Sequence, residues 1–402
     1  MRRTVFVPIV SLTLLLFVGG TAQATNGNQL PPHKDKAVCT MAGGPNAAAC
    51  AARVVTQVDG VTPLATTSYQ NGYAPADLRS AYNLGSASST ATVAIVDAYD
   101  NPNAESDLAA YRSQFGLSSC TSGTGCFRKV NQNGGSAMPR GDTGWGQEID
   151  LDIEMVSAIC PSCHVLLVEA DSNSIADLGT AVNRAASMGA VAISNSYGTS
   201  GEFNGETSYD GYYDHQHIAV TASSGDSGYG VAFPAASNHV VAVGGTSLTG
   251  SPGSWAETAW SGAGSGCSSF YTQPSWQATA NTGCSNRAEA DVSAVADPST
   301  GVAVYDSYGS TNGNWYVFGG TSVSSPIIAS VFALAGNTGS LTYPASYLYT
   351  HTGGLNDVTS GSNGRCTKGG WKHSFGATQL CTAGPGWDGP TGLGTPNGTS
   401  AF

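Results

Sequence analysis

Apolar residues follow two alternating patterns along most of the chain. Short runs rich in Val, Ile and Ala are typical of buried strands, whereas apolar residues at helical spacing predict helices. The predicted strands are 90–100, 164–170, 190–198, 218–226 and 239–245. The predicted helices are 105–117, 146–160 and 174–189. Strands that alternate with helices predict an α/β fold with a mostly parallel central sheet flanked by helices.

Polar residues stand at the ends of three predicted strands. Asp97, Ser196 and Asp226 each lie at or near the carboxyl end of one of these runs. In open α/β sheets the functional groups gather at that edge. We therefore expect a site where these strands end.

Two carboxylates interrupt the apolar side of the second predicted helix. With about 100° per residue, Glu148 and Asp152 lie one turn apart inside the apolar arc, while Asp150, Glu154 and Ser157 fall on the opposite, polar side. Burial of a carboxylate is costly and raises its pKa. The pair is either a structural acceptor of hydrogen bonds from a neighbouring loop or a proton-handling pair, in which one acid acts as a base.

A base needs a nucleophile, and two serines are candidates. Ser322 lies in the run GGTSVSSP, residues 319–326, which leads into an apolar stretch. Glycines before a serine at the start of a helix allow close backbone approach and a positive dipole end, and Pro326 is expected in the first turn. Ser322 is either an activated hydroxyl or a simple helix cap. Ser227 lies in a Gly-Asp-Ser-Gly run, the short signature around the nucleophile of chymotrypsin-like serine peptidases.

The N-terminal residues predict export. Residues 1–24 contain a basic start with Arg2 and Arg3, an apolar run and a small-x-small end, which is typical of a secretory signal; the alternative is a membrane anchor. Residues 25–72, rich in Ala, Gly, Pro and Thr, predict an irregular leader before a domain at 73–402.

The ten cysteines also fit a secreted protein. They form five close pairs, and pairing of neighbours would close five short loops, although sequence alone does not prove the connectivity. The pairs are Cys39/Cys50, Cys120/Cys126, Cys160/Cys163, Cys267/Cys284 and Cys366/Cys381. For Cys160 and Cys163 a structural disulfide is favoured over a zinc or redox site, since no second pair with convincing ligand spacing is present.

The charge balance limits the classes of partner that the protein could bind. Only 10% of residues are charged and the net charge is −12, with no basic run, which argues against nucleic acid as a partner. A fold with few ion pairs loses little stability when carboxylates become protonated, so the composition suits an acidic working environment.

Taken together, these motifs resemble those of the sedolisins, the serine-carboxyl relatives of the subtilisin-like peptidases. The run around Ser322 resembles the family's nucleophile segment, and Glu148-x-x-x-Asp152 stands on the helix where subtilisins carry a His. The family's oxyanion Asp lies in a Gly-Asp-Ser-Gly loop, which points to Asp226 rather than to Ser227. Further similar segments are 73–84, 233–248, 286–305 and 384–398.

The resemblance implies a subtilisin-like fold in one catalytic domain and a role for each motif residue. Ser322 would be the nucleophile, Glu148 the general base, Asp152 its supporting acid and Asp226 the donor to the oxyanion. Asp97 would assist the pair of acids from behind. A carboxyl-based site of this kind implies activity in acid.

The resemblance also implies a calcium loop and a peptide-binding strand edge. The calcium ligands would be Asp357, Val358, Gly384, Gly386 and Asp388, an all-oxygen set suited to Ca²⁺. The strand edge would be formed by Ser194, Ser196 and Gly198.

We therefore expect a secreted, calcium-binding, monomeric endopeptidase that acts on proteins or peptides, with no membrane partner. The alternatives are a non-catalytic secreted protein that binds peptides or surfaces on the same scaffold, and a tripeptidyl-type exopeptidase. A subtilisin-type enzyme that works at neutral pH is disfavoured, because this chain has no His at the position where subtilisins carry their catalytic His. The leader at 25–72 is shorter than the folded pro-domain of sedolisins and is expected to be a short leader or a remnant, which leaves the activation route open.

Overall fold

The computed structural model describes Met1 and residues 30–402, except 41–43, 45, 311–312, 365 and 367–377. The predicted secretory signal at 1–24 therefore lies, apart from Met1, outside the described residues. Across the described part of the chain, no helix is long and apolar enough to cross a membrane.

A mostly parallel sheet forms the centre of the molecule, as predicted. Its strands are β4 (Thr92–Ala98), β5 (Phe127–Asn131), β6 (His164–Ala170), β7 (Ala192–Asn195), β9 (Ala219–Ser223), β10 (Val241–Thr249), β11 (Ala256–Ala259) and β14 (Val292–Val295). They run in the order β5-β6-β4-β7-β9-β10-β11, with β14 parallel to β10 and only β11 antiparallel. Val, Ile and Ala fill both faces of β4, which is buried throughout after Thr92.

Helices cover this sheet. They are α1 (Pro75–Ala81), α2 (Ala104–Gln114), α3 (Thr143–Ile159), α4 (Ile175–Ser187), α5 (Thr321–Ala335) and the short α6 (Ala345–Leu348). α3 begins where the Asp142 carboxylate accepts the backbone N–H groups of Gly144 and Trp145, at 3.0 and 3.1 Å. α3 and α5 pack against each other, which brings the predicted acids and the predicted nucleophile onto facing helices.

The segment predicted as an irregular leader contains strands that pair with the rest of the fold, so the expectation of irregular structure is wrong. Its strands are β1 (Lys34–Ala37), β2 (Ala49–Cys50) and β3 (Arg53–Thr56). With β15 (Val302–Tyr305) and β16 (Trp315–Gly319), β1 and β3 form an antiparallel sheet in the order β1-β3-β16-β15. The Ala- and Pro-rich composition concealed two buried β-branched residues, Val54 and Val55, in a strand that pairs with both β1 and β16.

The remaining strands form two small ladders. β12 (Gly266–Thr272) pairs with β13 (Asn286–Glu289), and β17 (Leu355–Asn356) pairs with β18 (Thr395–Pro396). The two-residue β8 (Tyr197–Gly198), just after β7, pairs with β2. The chain therefore brings its N-terminal region against the edge at which the central strands end.

The polar side of α3 is buried as well as the apolar side. Asp150, Glu154 and Ser157 are all fully buried, because α2 and β15 pack over that side of the helix. Asp150 accepts from the Asn101 side chain at 2.8 Å, and Glu154 accepts from the Tyr305 N–H at 2.9 Å. The helical spacing assigned these residues to the correct side of α3. A polar side chain, however, can face either water or a buried polar partner, and the sequence does not show which.

Pro326 lies one turn deeper in its helix than predicted. α5 begins at Thr321, so Pro326 is in the second turn and cannot donate to the Ser322 carbonyl. Instead the Ser196 hydroxyl points at that carbonyl from 3.4 Å. The proline thus frees a backbone oxygen beside the predicted site.

All five predicted disulfides are formed, including the one between Cys160 and Cys163. Each closes a short loop between sequence neighbours, with separations from 3 to 17 residues. Disulfide loops of this length each stabilise a fold by about 2–4 kcal/mol.

Candidate active site

Three carboxyl groups meet beneath the carboxyl ends of the central strands. Asp97 comes from β4, and Glu148 and Asp152 come from α3. Carboxylate oxygens of the three lie within 4.8 Å of one another, and all three residues are fully buried. Helical spacing placed Glu148 and Asp152 together, and the fold brings Asp97, which the resemblance implied behind them, into the same group.

Burial sets the protonation of this group. It raises the pKa of Asp97 to about 8 and raises the pKa of Glu148 and of Asp152 well above their usual range. The neighbouring Asp152 and Asp97 raise the pKa of Glu148 further, and Asp97 raises the pKa of Asp152 further. Such a cluster titrates as a unit, because each ionised member makes the next ionisation harder. Its first proton leaves most easily, since the two acids that remain can donate hydrogen bonds to the single carboxylate.

Ser322 stands at the open end of this cluster, in the first turn of α5. Its hydroxyl donates to the Ser196 carbonyl at 3.1 Å. It is also near enough to Glu148 to lower that pKa in part, although no hydrogen bond of ordinary geometry joins the two among the described residues. A hydroxyl next to a buried carboxylate has the base that a serine nucleophile requires.

Ser196 connects the two sides of the site. Its hydroxyl donates to Asp152 at 2.9 Å, while its carbonyl accepts the Ser322 hydroxyl. The Asp152 oxygen on the other side has no donor within the described residues. Ser196 therefore fixes the orientation of Asp152 relative to Ser322 on the neighbouring helix.

Asp226 faces the start of α5 from the loop after β9. One of its oxygens accepts from the Thr321 N–H at 2.8 Å and from the Thr321 hydroxyl at 2.9 Å. The other oxygen is buried and has no partner among the described groups. Although part of the residue is exposed, the carboxyl is buried, and burial raises its pKa to about 7. Below that pH the carboxyl is protonated and can donate a hydrogen bond.

Gly320 makes room for this arrangement. It has a φ of 96°, which only glycine adopts readily, and it caps α5. A methyl group in its place would overlap a buried Asp226 oxygen and the Ala51 carbonyl oxygen. These two oxygens and the N-terminus of α5 therefore border one narrow space.

An extended segment of the chain, residues 46–56, runs across the site. In β2, Ala49 and Cys50 pair antiparallel with Gly198 and Tyr197 of β8. The Ser322 N–H donates to the Ala51 carbonyl at 2.9 Å. Sequence analysis missed this segment. The run Ala-Ala-Ala-Cys-Ala-Ala before Arg-Val-Val was the only signal, and small residues carry little pattern.

Of the three residues predicted to form the peptide-binding strand edge, two lie along the cleft and one points away from it. Gly198 and Ser196 lie along residues 46–56, whereas the Ser194 side chain points away and shares a buried hydrogen bond of 2.8 Å with Ser325. Beside them lies a cavity of about 780 Å³. Its lining includes Ala51, Gly198, Ser224, Gly225 and Asp226.

The predicted calcium ligands form one loop region at the C-terminal end. Asp388 accepts the Gly384 N–H at 3.1 Å, and Asp357 accepts the Gly386 N–H at 2.9 Å. Burial raises the pKa of Asp388 to about 7, and Asp357 raises it further. No salt bridge within the described part of the chain includes either carboxylate. Two carboxylates that repel each other without a cationic partner fit a hard cation such as Ca²⁺.

Comparison with known proteins agrees with this geometry. The sequence profile of the Subtilase family matches residues 129–352. Kumamolisin from Bacillus sp. (strain MN-32) is 30% identical over 81% of this chain, and sedolisin from Pseudomonas sp. (strain 101) is 30% identical over 81%. The chain spans 62% and 60% of the lengths of these two relatives.

A solved structure supports the same relationship. Pseudomonas sedolisin, a serine-carboxyl proteinase solved with two molecules of pseudo-iodotyrostatin, superposes with a TM-score of 0.68 at 27% identity. The match covers 82% of this chain and 96% of that one. With the buried acids of α3 facing a serine on α5, the sequence and the fold agree: the chain belongs to the Subtilase family, in its sedolisin branch.

Proposed function

We propose that this chain is a secreted serine-carboxyl endopeptidase that hydrolyses peptide bonds in proteins under acidic conditions. The observation that carries the proposal is the position of Ser322 between two kinds of carboxyl group. Glu148 and its neighbours lie on one side, and the buried Asp226 lies on the other. One side can accept a proton and the other can donate a hydrogen bond.

In the proposed reaction Ser322 attacks the carbonyl carbon of the substrate and Glu148 takes its proton. Asp152 keeps Glu148 oriented and shares the charge, and Asp97 lies behind both. The negative charge that develops on the substrate oxygen is stabilised by the Ser322 N–H and by the protonated Asp226. Glu148 then returns the proton to the leaving amine, and water hydrolyses the acyl-enzyme by the reverse sequence.

The carboxyl chemistry favours an acidic optimum. Glu148 must be ionised while Asp226 stays protonated, and these conditions overlap only below the Asp226 pKa of about 7. A His-based triad would instead need the neutral imidazole and would work best near neutrality. We expect activity to fall as the pH rises through that value.

An internal cleavage position is favoured over a tripeptidyl exopeptidase. Residues 46–56 cross the site as one extended segment and continue past the third residue before Ala51, where Ala48 donates to the Asn173 carbonyl at 2.8 Å. A cleft that holds a chain continuing in both directions suits an endopeptidase. The alternative of a non-catalytic binding scaffold is disfavoured, because the carboxyl groups of Glu148 and Asp97 are buried without hydrogen-bond donors among the described residues. Burial of such groups is costly and serves no purpose in a protein that only binds.

Calcium would serve stability rather than chemistry. Asp357 and Asp388, with the carbonyls of Val358, Gly384 and Gly386, would hold the ion. Bound there, Ca²⁺ would neutralise the two carboxylates and fix the C-terminal loop, which is separate from Ser322 and its acids. Secretion through residues 1–24 is part of the proposal, and the five disulfides support it, since such bonds persist in oxidising compartments.

Two serine variants test the proposed function. Ser322→Ala removes the nucleophile, and Ser227→Ala is a matched control in the loop that resembles a chymotrypsin-like signature. Hydrolysis of a denatured protein at about pH 4 should fall to background in Ser322→Ala and stay near wild type in Ser227→Ala. Loss in Ser227→Ala with activity kept in Ser322→Ala would contradict the assignment.

A further inference from the structure

The cavity of about 780 Å³ beside the candidate site carries its charged groups unevenly. Among the described residues that line it, Arg53, Glu202 and Asp226 alone have a carboxyl or a basic group. Arg53 forms an ion pair with Asp35, and it is close enough to the buried Asp226 to offset part of the rise in the pKa of that carboxyl. Glu202 takes part in no salt bridge within the described part of the chain. The cavity therefore has one acid that lacks a basic partner.

The strand β12 holds the Glu202 side chain in place. One carboxylate oxygen accepts from the Ser268 hydroxyl, and the other accepts the Ser269 N–H at 2.8 Å. Each of these oxygens has a second acceptor position, and the residue is partly exposed. A carboxylate that is fixed by two neutral donors can still accept from a cation that enters the cavity.

Two further acids lie near Glu202, behind the wall of the cavity. Glu289 is fully buried and accepts the N–H of Ala232, a wall residue, at 3.2 Å. Glu206 is also buried and accepts the Phe203 N–H at 2.7 Å. Burial raises the pKa of Glu206 to about 7 and that of Glu289 well above its usual range, and Glu202 raises both further. Both are protonated in acid, so Glu202 is the member of this group whose charge reaches the cavity.

A basic group near these acids is already paired. Arg287 is close enough to the buried Glu289 to offset part of the rise in its pKa, but its guanidinium donates to both carboxylate oxygens of Asp291, at 2.7 and 2.5 Å. Arg287 is fully buried and is not among the residues that line the cavity. A cation that meets Glu202 therefore has to come from a bound molecule.

An aromatic ring lies next to this acid. Phe270 follows Ser269 on β12, lines the same cavity and is 38% exposed. The face of an aromatic ring attracts a cation, and a planar guanidinium stacks on it. A carboxylate and an exposed ring in one cavity suit a long cationic side chain, whose alkyl stem packs on apolar surface while its head meets the acid.

The cavity also reaches the proposed oxyanion position. Ser224, Gly225 and Asp226 line it there. Ala51, whose carbonyl accepts the Ser322 N–H at 2.9 Å, lines it as well. A substrate residue whose carbonyl takes this place has its side chain at the cavity. The cavity therefore receives the side chain of the residue on the N-terminal side of the cleaved bond, the P1 residue.

From these observations we propose that Glu202 determines specificity and selects peptides with Arg or Lys at P1. The inference rests on the proposed function and adds a substrate class to it. The cationic head of the P1 side chain donates to the free acceptor positions of Glu202, while Ser268 and Ser269 keep their own bonds to the carboxylate. The ring of Phe270 favours Arg over Lys, because only a guanidinium stacks on it with its whole plane.

The first test compares the hydrolysis of peptides that differ only at P1, with Arg, Lys, norleucine or Glu, at about pH 5. The kcat/KM for Arg should exceed that for norleucine by about tenfold, the effect of a hydrogen bond to a charged group, and Glu should be the poorest. Glu202→Gln should remove the advantage of Arg over norleucine, and Glu202→Lys should favour the Glu peptide over the Arg peptide. Glu206→Gln is the matched control and should keep the wild-type order, because Glu206 is uncharged in acid and lies behind the wall.

These results separate the inference from the proposed function. If Ser322-dependent hydrolysis shows no preference for Arg over norleucine, the inference is wrong and the proposed function stands. The same holds if a folded Glu202→Gln, verified by near-ultraviolet circular dichroism, keeps the full preference for Arg. If no peptide is hydrolysed, the proposed function is wrong and binding alone decides the inference.

A small probe measures binding without catalysis. The n-butylguanidinium ion has the head group and stem of Arg, and n-butylurea is its uncharged counterpart. Ligand-observed NMR on Ser322→Ala should detect the ion and not the urea, and the additional change Glu202→Gln should abolish the signal of the ion. Equal signals from the two probes, or none from either, would contradict the inference.

A separate variant tests the aromatic ring. Phe270→Leu keeps an apolar side chain at the cavity but removes the ring, so the ratio of kcat/KM for Arg to that for Lys should fall. An unchanged ratio would remove Phe270 from the inference and leave Glu202 as the residue that selects the charge.

Discussion

At the scale of single residues, the proposed mechanism requires two carboxyl groups that hold opposite protonation states at the same pH. Burial acts on both, but their neighbours differ. Glu148 lies beside Asp97 and Asp152, so the group can lose one proton early and keep the others. Asp226 has no acid within its hydrogen-bonded set and keeps its proton up to a pKa of about 7. The difference in surroundings separates an acceptor of protons from a donor of hydrogen bonds.

Asp226→Asn should widen the pH range of activity. The amide can accept from Thr321 with its oxygen and donate with its nitrogen at any pH, whereas the wild-type carboxyl donates only while protonated. The alkaline limb of kcat/KM should therefore move to higher pH than in wild type. Asp226→Ala, which has no donor, should lose about 10²–10³-fold in kcat. Identical alkaline limbs in wild type and Asp226→Asn would show that another group sets that limb.

Glu148→Gln should lower kcat by about 10²–10⁴-fold, the usual contribution of a general base. Glu154→Gln is the matched control, because Glu154 is equally buried on the same helix and also has a raised pKa, yet it bonds to the Tyr305 N–H. Steady-state kinetics on one peptide compares the two. Equal losses in both variants would indicate that damage to α3, not loss of a base, explains the effect.

At the scale of elements, α3 carries acids on both sides, and only one side faces Ser322. The other side holds a second group, in which carboxylate oxygens of Asp107, Asp150 and Asp306 lie within 4.8 Å of one another. Burial raises the pKa of Asp150 well above its usual range, and Asp306 and Asp107 raise it further. In acid these residues are protonated and can share hydrogen bonds. As they ionise they repel one another inside the fold.

Asp150→Asn should therefore stabilise the protein near neutral pH and not in acid. A raised pKa in the folded state means that its stabilising protonation is complete below the unfolded pKa of about 4 and is lost as the pH rises through the folded value. Wild-type Tm should fall between about pH 4 and pH 7, and Asp150→Asn should fall less. The exposed Asp171→Asn should follow wild type. A wild-type Tm that rises over this range would contradict the raised pKa of the buried acids.

The calcium site proposed in the C-terminal loop leads to a separate prediction. Calcium should raise Tm and a chelator should lower it, because the ion would bind the folded loop alone. Asp388→Asn should weaken calcium binding in titration calorimetry and make Tm insensitive to the chelator. Full chelator sensitivity in Asp388→Asn would place the calcium elsewhere.

At the scale of the whole molecule, the distribution of charge favours stability in acid. Its net charge at neutral pH is −12, and many carboxyls are buried rather than paired with bases. Few carboxylates form salt bridges; within the described residues, Asp35, Asp100, Asp210, Asp214, Asp291 and Glu169 do so. Falling pH thus removes charge and repulsion while it breaks few ion pairs.

Much of the fold and of the candidate site could be predicted from the sequence, and the features that were missed were missed for the same reason. The β6 strand was predicted to the residue, because a buried parallel strand is a continuous apolar run. The pairing of Glu148 with Asp152 followed from helical spacing alone. Residues 49–53 and the buried polar side of α3 were missed, since their partners, β8, β16 and α2, are distant in sequence. The local sequence pattern shows which residues share one face of a helix or strand, but it does not show which other element packs against that face.

The most direct test of the account is the pH dependence of kcat/KM for one peptide, measured between about pH 2.5 and pH 8 on acid-incubated enzyme. The account predicts a bell-shaped profile with its maximum in acid. The acid limb would follow the first ionisation of the Asp97–Glu148–Asp152 group, and the alkaline limb would follow Asp226. A rate that keeps rising through neutral pH would contradict the carboxyl mechanism, whichever residue carried the reaction.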